Sequence, residues 1–298
     1  MDEEGLMKGI VVKAYNSFYY VQSEGILVTC KLRGRFKKER CNVVTGDEVE
    51  FSPLDEQSGV IEKLLPRRNL LRRPSVANID QVVLTFAAAE PDPHPLLVSR
   101  FLVLAEWSAI PEIVLCLNKT DLIDETALQA VMSLYGNIGY TVLAVSAKKE
   151  EGLSALREQL SGRVSVFAGP SGVGKSSLLN AMDSSLQLQT GAISDKIKRG
   201  RHTTRLAQLM PLSGGGFIVD TPGFSSFELE RIDPQSLAGY FPEFRPYLTG
   251  CHYRGCTHSH EPGCLVKQAV NEGRIASLRY DAYLNILQEI AERKREYE

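Results

Sequence analysis

Four short polar loops in this 298-residue chain each follow directly on an apolar, strand-like run. That placement points to an open α/β sheet with a ligand site along one edge, because such sheets bind ligands beyond the carboxyl ends of their strands. Ile113-Val-Leu-Cys-Leu117 leads into Asn118-Lys119-Thr120-Asp121, and Tyr140-Thr-Val-Leu-Ala-Val145 leads into Ser146-Ala147-Lys148. Arg163-Val-Ser-Val-Phe-Ala168 leads into Gly169-Pro170-Ser171-Gly172-Val173-Gly174-Lys175-Ser176, and Gly216-Phe-Ile-Val219 into Asp220-Thr-Pro-Gly223.

Gly169 to Ser176 matches the eight-residue phosphate-loop pattern. Its glycines let backbone N–H groups curl around phosphates, and the helix expected over Lys175–Met182 adds positive character at its N-terminus. Lys175 is expected to reach the β- and γ-phosphates and Ser176 to offer its hydroxyl to Mg²⁺, with Ser177 beside it on the first helical turn. Asp220 would hold Mg²⁺ through water, and the Gly223 amide would sense the γ-phosphate.

Asn118 to Asp121 carries the base chemistry. Asp121 can accept from both N1–H and the exocyclic amine of guanine, whereas adenine leaves a carboxylate unpaired. Lys119 would lay its stem along the base plane, Asn118 would brace the loop, Thr120 is a further nucleotide-binding candidate, and Ser146-Ala147-Lys148 would close over the other face. These motifs bind GTP or GDP in an ordinary small GTPase, where the phosphate loop comes first and the base-reading loops last. Here the base-reading loops precede the phosphate loop, so the chain reads as a circularly permuted GTPase.

Between Lys175 and Asp220 lies Lys196-Ile-Lys-Arg-Gly-Arg-His-Thr-Thr-Arg205, with five basic residues and no acid. Thr203 and Thr204 are both candidates for the switch I threonine that meets Mg²⁺ and γ-phosphate, and Thr204 is preferred. A Ras-like enzyme carries a water-orienting glutamine just after DxxG, and this chain has Phe224 there. Intrinsic hydrolysis should therefore be slow. His202 either helps to position the attacking water or contacts a partner phosphate.

Three of the six cysteines cluster in Cys251-His-Tyr-Arg-Gly-Cys256-Thr-His258-Ser-His260-Glu-Pro-Gly-Cys264. In a reducing compartment this spacing reads as Zn²⁺ rather than as a disulfide. Cys251, Cys256, His258 and Cys264 would make a closed and hence structural site, with His252 and His260 as rival ligands. Cys30, Cys41 and Cys116 read as buried thiols.

Three parts are expected along the chain: 1–68, 69–228 and 229–298. The first holds five short alternating segments, which suggest an all-β barrel of the OB type. It is neutral overall, yet Lys31-Leu-Arg-Gly-Arg-Phe-Lys-Lys-Glu-Arg40 is locally +5. That loop suits RNA backbone binding, or is simply a solvated basic turn. Pro66–Pro74 reads as a linker. Alternating strands and helices then run to 228, the pattern of an α/β sheet covered on both faces. The third part is expected to be mostly helical around the cysteine cluster. A net charge of −2, short apolar runs and an acidic, polar N-terminus predict a cytoplasmic protein without a membrane span. A monomer is favoured because no heptad or exposed apolar stripe stands out.

Together the motif order, the Gly200-Arg-His-Thr-Thr204 segment, the barrel-like N-terminus and the cysteine–histidine cluster resemble the bacterial ribosome-small-subunit-dependent GTPase A family over essentially the whole chain. The family's switch I histidine and threonines fall on His202, Thr203 and Thr204. Arg205 departs from the family, where a third threonine is usual. The resemblance implies GTP hydrolysis stimulated by the small (30S) ribosomal subunit, contact with its rRNA, and a role in late subunit maturation. The competing reading is a nucleotide-gated RNA-binding module whose hydrolysis is incidental.

Overall fold

The computed structural model describes residues 5–34, 42–72, 75–186, 188, 207–220 and 229–297. The candidates His202, Thr203, Thr204 and Gly223, and most of the basic run 31–40, lie outside the described residues.

The five segments expected at the N-terminus are strands: β1 (Met7–Tyr15), β2 (Phe18–Ser23), β3 (Ile26–Leu32), β4 (Glu48–Pro53) and β5 (Ser58–Leu64). Asn16 and Ser17 both take positive φ, which supplies the tight two-residue turn between β1 and β2. Strand β3 runs parallel to β5, β5 antiparallel to β4, and β4 returns to β1. That last pairing closes the barrel. Val11, Val21, Val28, Cys30, Val49, Phe51 and Ile61 fill its interior, as the alternation of side chains along each strand requires.

Part of the segment expected to be a linker is regular structure. Strands β6 (Leu70–Arg72) and β7 (Ser75–Ala77) pair as a short antiparallel hairpin. Arg67 pairs with the buried Asp47 of the barrel, and the Arg68 backbone N–H donates to Asn78. Arg67 and Arg68 thus tie the barrel to the second sheet.

Strand β8 (Gln81–Ala87), β9 (Glu112–Asn118), β10 (Thr141–Ala144), β11 (Val164–Ala168), β12 (Gln208–Pro211) and β13 (Phe217–Asp220) form that sheet in the order β10-β9-β8-β11-β13-β12. All are parallel except β12, which runs antiparallel to β13. Helices α1 (Pro95–Trp107), α2 (Glu125–Gly136), α3 (Leu153–Leu160) and α4 (Lys175–Met182) cover it. One face carries Val82, Leu84 and Phe86 against Phe101 and Leu102 of α1, and the other carries Val83, Cys116 and Phe167 against Leu156, Leu160, Leu178 and Leu179. Covering both faces explains why β8, β9 and β11 are almost continuously apolar. Only residues 161–163 separate α3 from β11, so this short turn joins the half carrying Asn118–Asp121 to the half carrying Gly169–Ser176.

Among the described residues, the sheet is followed by three 3-10 turns (Leu229–Arg231, Leu237–Tyr240, Pro242–Tyr247) and by helices α5 (Leu265–Asn271) and α6 (Ser277–Tyr297). Phe241, Phe244, Tyr283, Ile286 and Ile290 pack with Val103 and Leu104 of α1 into one core. Each such buried side chain contributes roughly 1.5–3 kcal/mol. Arg279 is also fully buried there. An uncompensated buried guanidinium would cost several kcal/mol. Its Nε donates to Glu243 at 2.6 Å, its Nη1 to Ser99 Oγ of α1 at 2.8 Å, and its plane lies 4.7 Å from the Phe241 ring centroid. The C-terminal region is thus docked on the sheet domain by apolar packing and by this charge.

Candidate nucleotide site and cysteine–histidine cluster

The four loops singled out by sequence leave the carboxyl ends of β9, β10, β11 and β13, four of the sheet's five parallel strands. Gly169 takes φ +140, and a Cβ there would fall 2.0 Å from the Thr85 carbonyl oxygen of β8. Gly174, at φ +87, would place a Cβ 2.6 Å from Asn118 Nδ2. Only glycine fits either position, so the loop can turn tightly and then start α4 at Lys175. Lys175 Nζ donates to the carbonyls of Gly169 (2.9 Å) and Pro170 (2.6 Å), which holds the ammonium inside the loop's own curve. Burial lowers its pKa from the ordinary lysine value.

Asn118 is buried at the end of β9 and links the two halves. Its Nδ2 donates to Val173 O of the phosphate loop at 2.9 Å, while its Oδ1 accepts from Ala147 N at 3.2 Å. Thr120 Oγ1 donates to Val145 O, which fastens the base loop to the end of the next strand. Asp121 accepts from Ser146 Oγ at 2.6 Å. That bond first, with the nearby Lys148 and Lys149 charges adding to it, lowers the Asp121 pKa and keeps an acceptor ready for paired N–H donors. Lys119 sits at φ +62 and its Nζ donates to the Glu90 carbonyl.

Glu90 belongs to a loop that sequence reasoning passed over. Ala88 to His94 connects β8 to α1, Ala88 N donates to Asn118 O at 2.7 Å, and Pro91 Cδ lies 4.0 Å from where a Cβ on Gly172 would be. The available signal was positional: Glu90-Pro-Asp-Pro-His-Pro95 also follows an apolar strand, but without a recognisable residue pattern. On the opposite side, Gln208 of β12 stands across from Asp220, the final residue of β13. The Asp220 backbone thus ends next to the strand that feeds the phosphate loop, since β11 and β13 pair in parallel.

Cys251, Cys256, His258 and Cys264 offer ligand atoms that all lie within 4.8 Å of one another. His258 Nδ1 is 3.5 Å from Cys251 Sγ and 3.4 Å from Cys264 Sγ, and the latter two sulfurs are 3.9 Å apart. A tetrahedral Zn²⁺ with ordinary bond lengths would space its ligands about 3.5–3.8 Å apart, so this donor set fits that ion. The rivals are engaged elsewhere: His260 Nδ1 bonds the Ser259 hydroxyl, and His252 packs edge-on against Tyr253. Tyr280 and Tyr283 of α6 donate to the carbonyls of His258 and Thr257, and Glu261 accepts from Thr257 and Ser259. Burial lowers the His258 pKa and pushes the Cys256 thiol up to about 12. A bound dication reverses that preference for the neutral thiol. The isolated Cys30 and Cys116 are simply buried, with burial pushing their thiols up to about 11 and about 12.

A family model described as RsgA GTPase matches residues 64–230, and one described as RsgA N-terminal domain matches residues 8–61. The chain belongs to the RsgA GTPase family. It is therefore a GTP hydrolase. A relative from Moorella thermoacetica, named small ribosomal subunit biogenesis GTPase RsgA, is 47% identical and aligns over 98% of this chain and 100% of its own. The protein of that name from Shouchella clausii is 46% identical over 97% and 99%. The crystal structure of YjeQ from Thermotoga maritima superposes with a TM-score of 0.85 at 40% identity, over 96% of this chain and 99% of that one. YloQ, described as a circularly permuted GTPase, gives 0.82 at 37% identity over 97% and 96%. The chain thus shares its N-terminal domain and its GTPase domain with the RsgA family models, and its permuted order with YloQ. Among the described residues, no helix is long and apolar enough to cross a membrane.

Proposed function

We propose that this GTPase acts on the small ribosomal subunit and its rRNA late in subunit assembly, and that the subunit stimulates its hydrolysis. The observation that carries the partner is the name borne by relatives 46–47% identical over almost the full chain. The nucleotide reading rests on the way Asn118 ties Val173 to Ala147, bringing phosphate and base loops to one strand edge.

In this reading the amides of Gly169–Ser177 cradle the phosphates, and Lys175 leaves the loop carbonyls for the β- and γ-phosphates. Asp121 accepts from guanine, Lys119 lines the base, and Ser146 holds the aspartate in place. Ser176, Asp220 and Thr204 hold Mg²⁺, which neutralises phosphate charge when bound. His202 positions the attacking water on the subunit, and Gly223 reports loss of the γ-phosphate. Zn²⁺ at Cys251, Cys256, His258 and Cys264 holds the C-terminal fold together rather than taking part in hydrolysis. The protein works as a cytoplasmic monomer, with the basic loop after β3 contacting rRNA backbone.

Co-sedimentation with small subunits in the presence of a non-hydrolysable GTP analogue or GDP tests the partner and its gating together. Tighter binding in the GTP-like state is expected. Equal binding in both states would contradict nucleotide gating, because a ligand shifts only states it distinguishes.

A further inference from the structure

The barrel does not hang from the GTPase by its hairpin alone. It is hydrogen-bonded into the same sheet through the strand that borders Asp220. Lys13 of β1 stands opposite Gln208 of β12, and Gln208 stands opposite Asp220 of β13. One row of three residues therefore runs from the barrel wall to the aspartate of the DxxG motif. A second contact fixes that row. Thr45, buried in the loop before β4, donates its hydroxyl to the Ala207 carbonyl at 2.9 Å, across 162 residues of sequence. Ala207 immediately precedes β12 and is itself buried.

Thr45 has little freedom to drift. Its carbonyl accepts from Ala77 N, the next residue donates from Gly46 N to Val11 O of β1, and Asn78 Nδ2 donates to Gly46 O. The hydroxyl is presented from a platform made by barrel and hairpin together. A hydrogen bond between a buried hydroxyl and a buried carbonyl is directional, and its loss leaves the carbonyl unsatisfied. This bond and the Lys13–Gln208 bridge register the entry of β12 on the barrel, beside the apolar packing of Val12 with Ala207 and Leu209.

The geometry points to Thr45 as a positioning residue that uses the barrel to set the place of Asp220, and so the Mg²⁺-dependent part of nucleotide binding. This rests on the reading of Asp220 as the residue that faces Mg²⁺. It makes the barrel a structural part of the nucleotide site, so a partner gripping the barrel acts on hydrolysis through β12 and β13.

The test is the Mg²⁺ dependence of fluorescent GDP retention in the free full-length protein. Thr45→Val removes the hydroxyl at nearly constant volume and is expected to raise the Mg²⁺ concentration for half-maximal retention about fivefold to tenfold. GDP affinity in excess chelator should be unchanged, and Thr45→Ser should behave as wild type. Thr45→Ala makes the same deletion if valine does not fold. Asp220→Asn separates the two readings. If it leaves the Mg²⁺ dependence intact, the assignment of Asp220 fails. If it removes the dependence while Thr45→Val and Thr45→Ala do not shift it, the inference about Thr45 is overturned. An equal loss of affinity with and without Mg²⁺ would also overturn it, since that is what general loosening of the fold produces.

Discussion

Asn118 Nδ2 donates to the carbonyl of Val173 at 2.9 Å, joining a base-reading loop to the phosphate loop 55 residues further along the chain. In a permuted chain this bond does what proximity in an ordinary arrangement would not guarantee: it sets two separately folded loops at a fixed distance. Asn118→Ala leaves the buried Val173 carbonyl and the Ala147 amide without their partner, at a cost of about 1–3 kcal/mol. Affinity for GDP and GTP should fall together by roughly tenfold or more, measured by calorimetry. A variant that kept full affinity would show the bond to be incidental.

Base choice is testable at Asp121. Asp121→Asn exchanges an acceptor pair for one acceptor and one donor, and xanthine has a carbonyl where guanine has its exocyclic amine. Guanine nucleotide affinity should drop by roughly 10–100-fold, while xanthine nucleotide affinity rises. Competition binding with GDP and XDP reads both changes. Loss of both nucleotides alike would mean that Asp121 shapes the loop without reading the base.

Asp183 links the end of α4 to the β12–β13 turn. The Ser185 hydroxyl first, then the Ser213 amide, hold its carboxyl down to about 2 from the ordinary 3.8. A folded-state pKa below the unfolded one stabilises the fold above about pH 4, and that contribution is lost as pH falls toward about 2. Asp183→Asn should therefore melt lower than wild type at neutral pH, with the gap closing as pH drops through that window. A gap independent of pH would assign the effect to packing.

The cysteine–histidine cluster makes a prediction about folding rather than chemistry. Trp107 is the chain's single tryptophan, and it packs against the C-terminal core. Cys251→Ser, or zinc removal by a chelator, should shift Trp107 emission to the red and lower the C-terminal melting transition. GDP affinity should stay within about twofold, because distant sites act nearly independently. Intact Trp107 emission with the metal gone would show that the fold does not depend on it.

Legibility in the sequence differs by residue, for physical reasons. Asn118 and Asp220 are placed at strand ends by the apolar runs before them, and Lys175 at a helix start by the glycines before it, and those positions are what the fold shows. The barrel strands are legible because burial alternates with period two at Val28 and Cys30, Val49 and Phe51, and Gly59 and Ile61. Thr45 and Ala207 were not legible, since a hydroxyl meeting a backbone carbonyl 162 residues away leaves no pattern in either segment. Glu90 was missed because it acts through its carbonyl, which every residue has. Arg279 carries no signal in the sequence, and only packing of α6 on α1 shows that it is buried against Ser99. Pro66–Pro74 reads as a linker, and nothing in the sequence signals that Arg67 pairs with the buried Asp47.

Steady-state GTP turnover tests most directly whether a partner completes the catalytic site of this GTPase. The rate is measured for the protein alone, with purified small subunits, and with large subunits as control. Slow intrinsic turnover raised by orders of magnitude by the small subunit alone is the predicted result, as for other GTPases whose sites are completed by a partner. Unchanged turnover, with tight GTP-dependent binding to the small subunit retained, would contradict it and leave a nucleotide-gated RNA-binding protein.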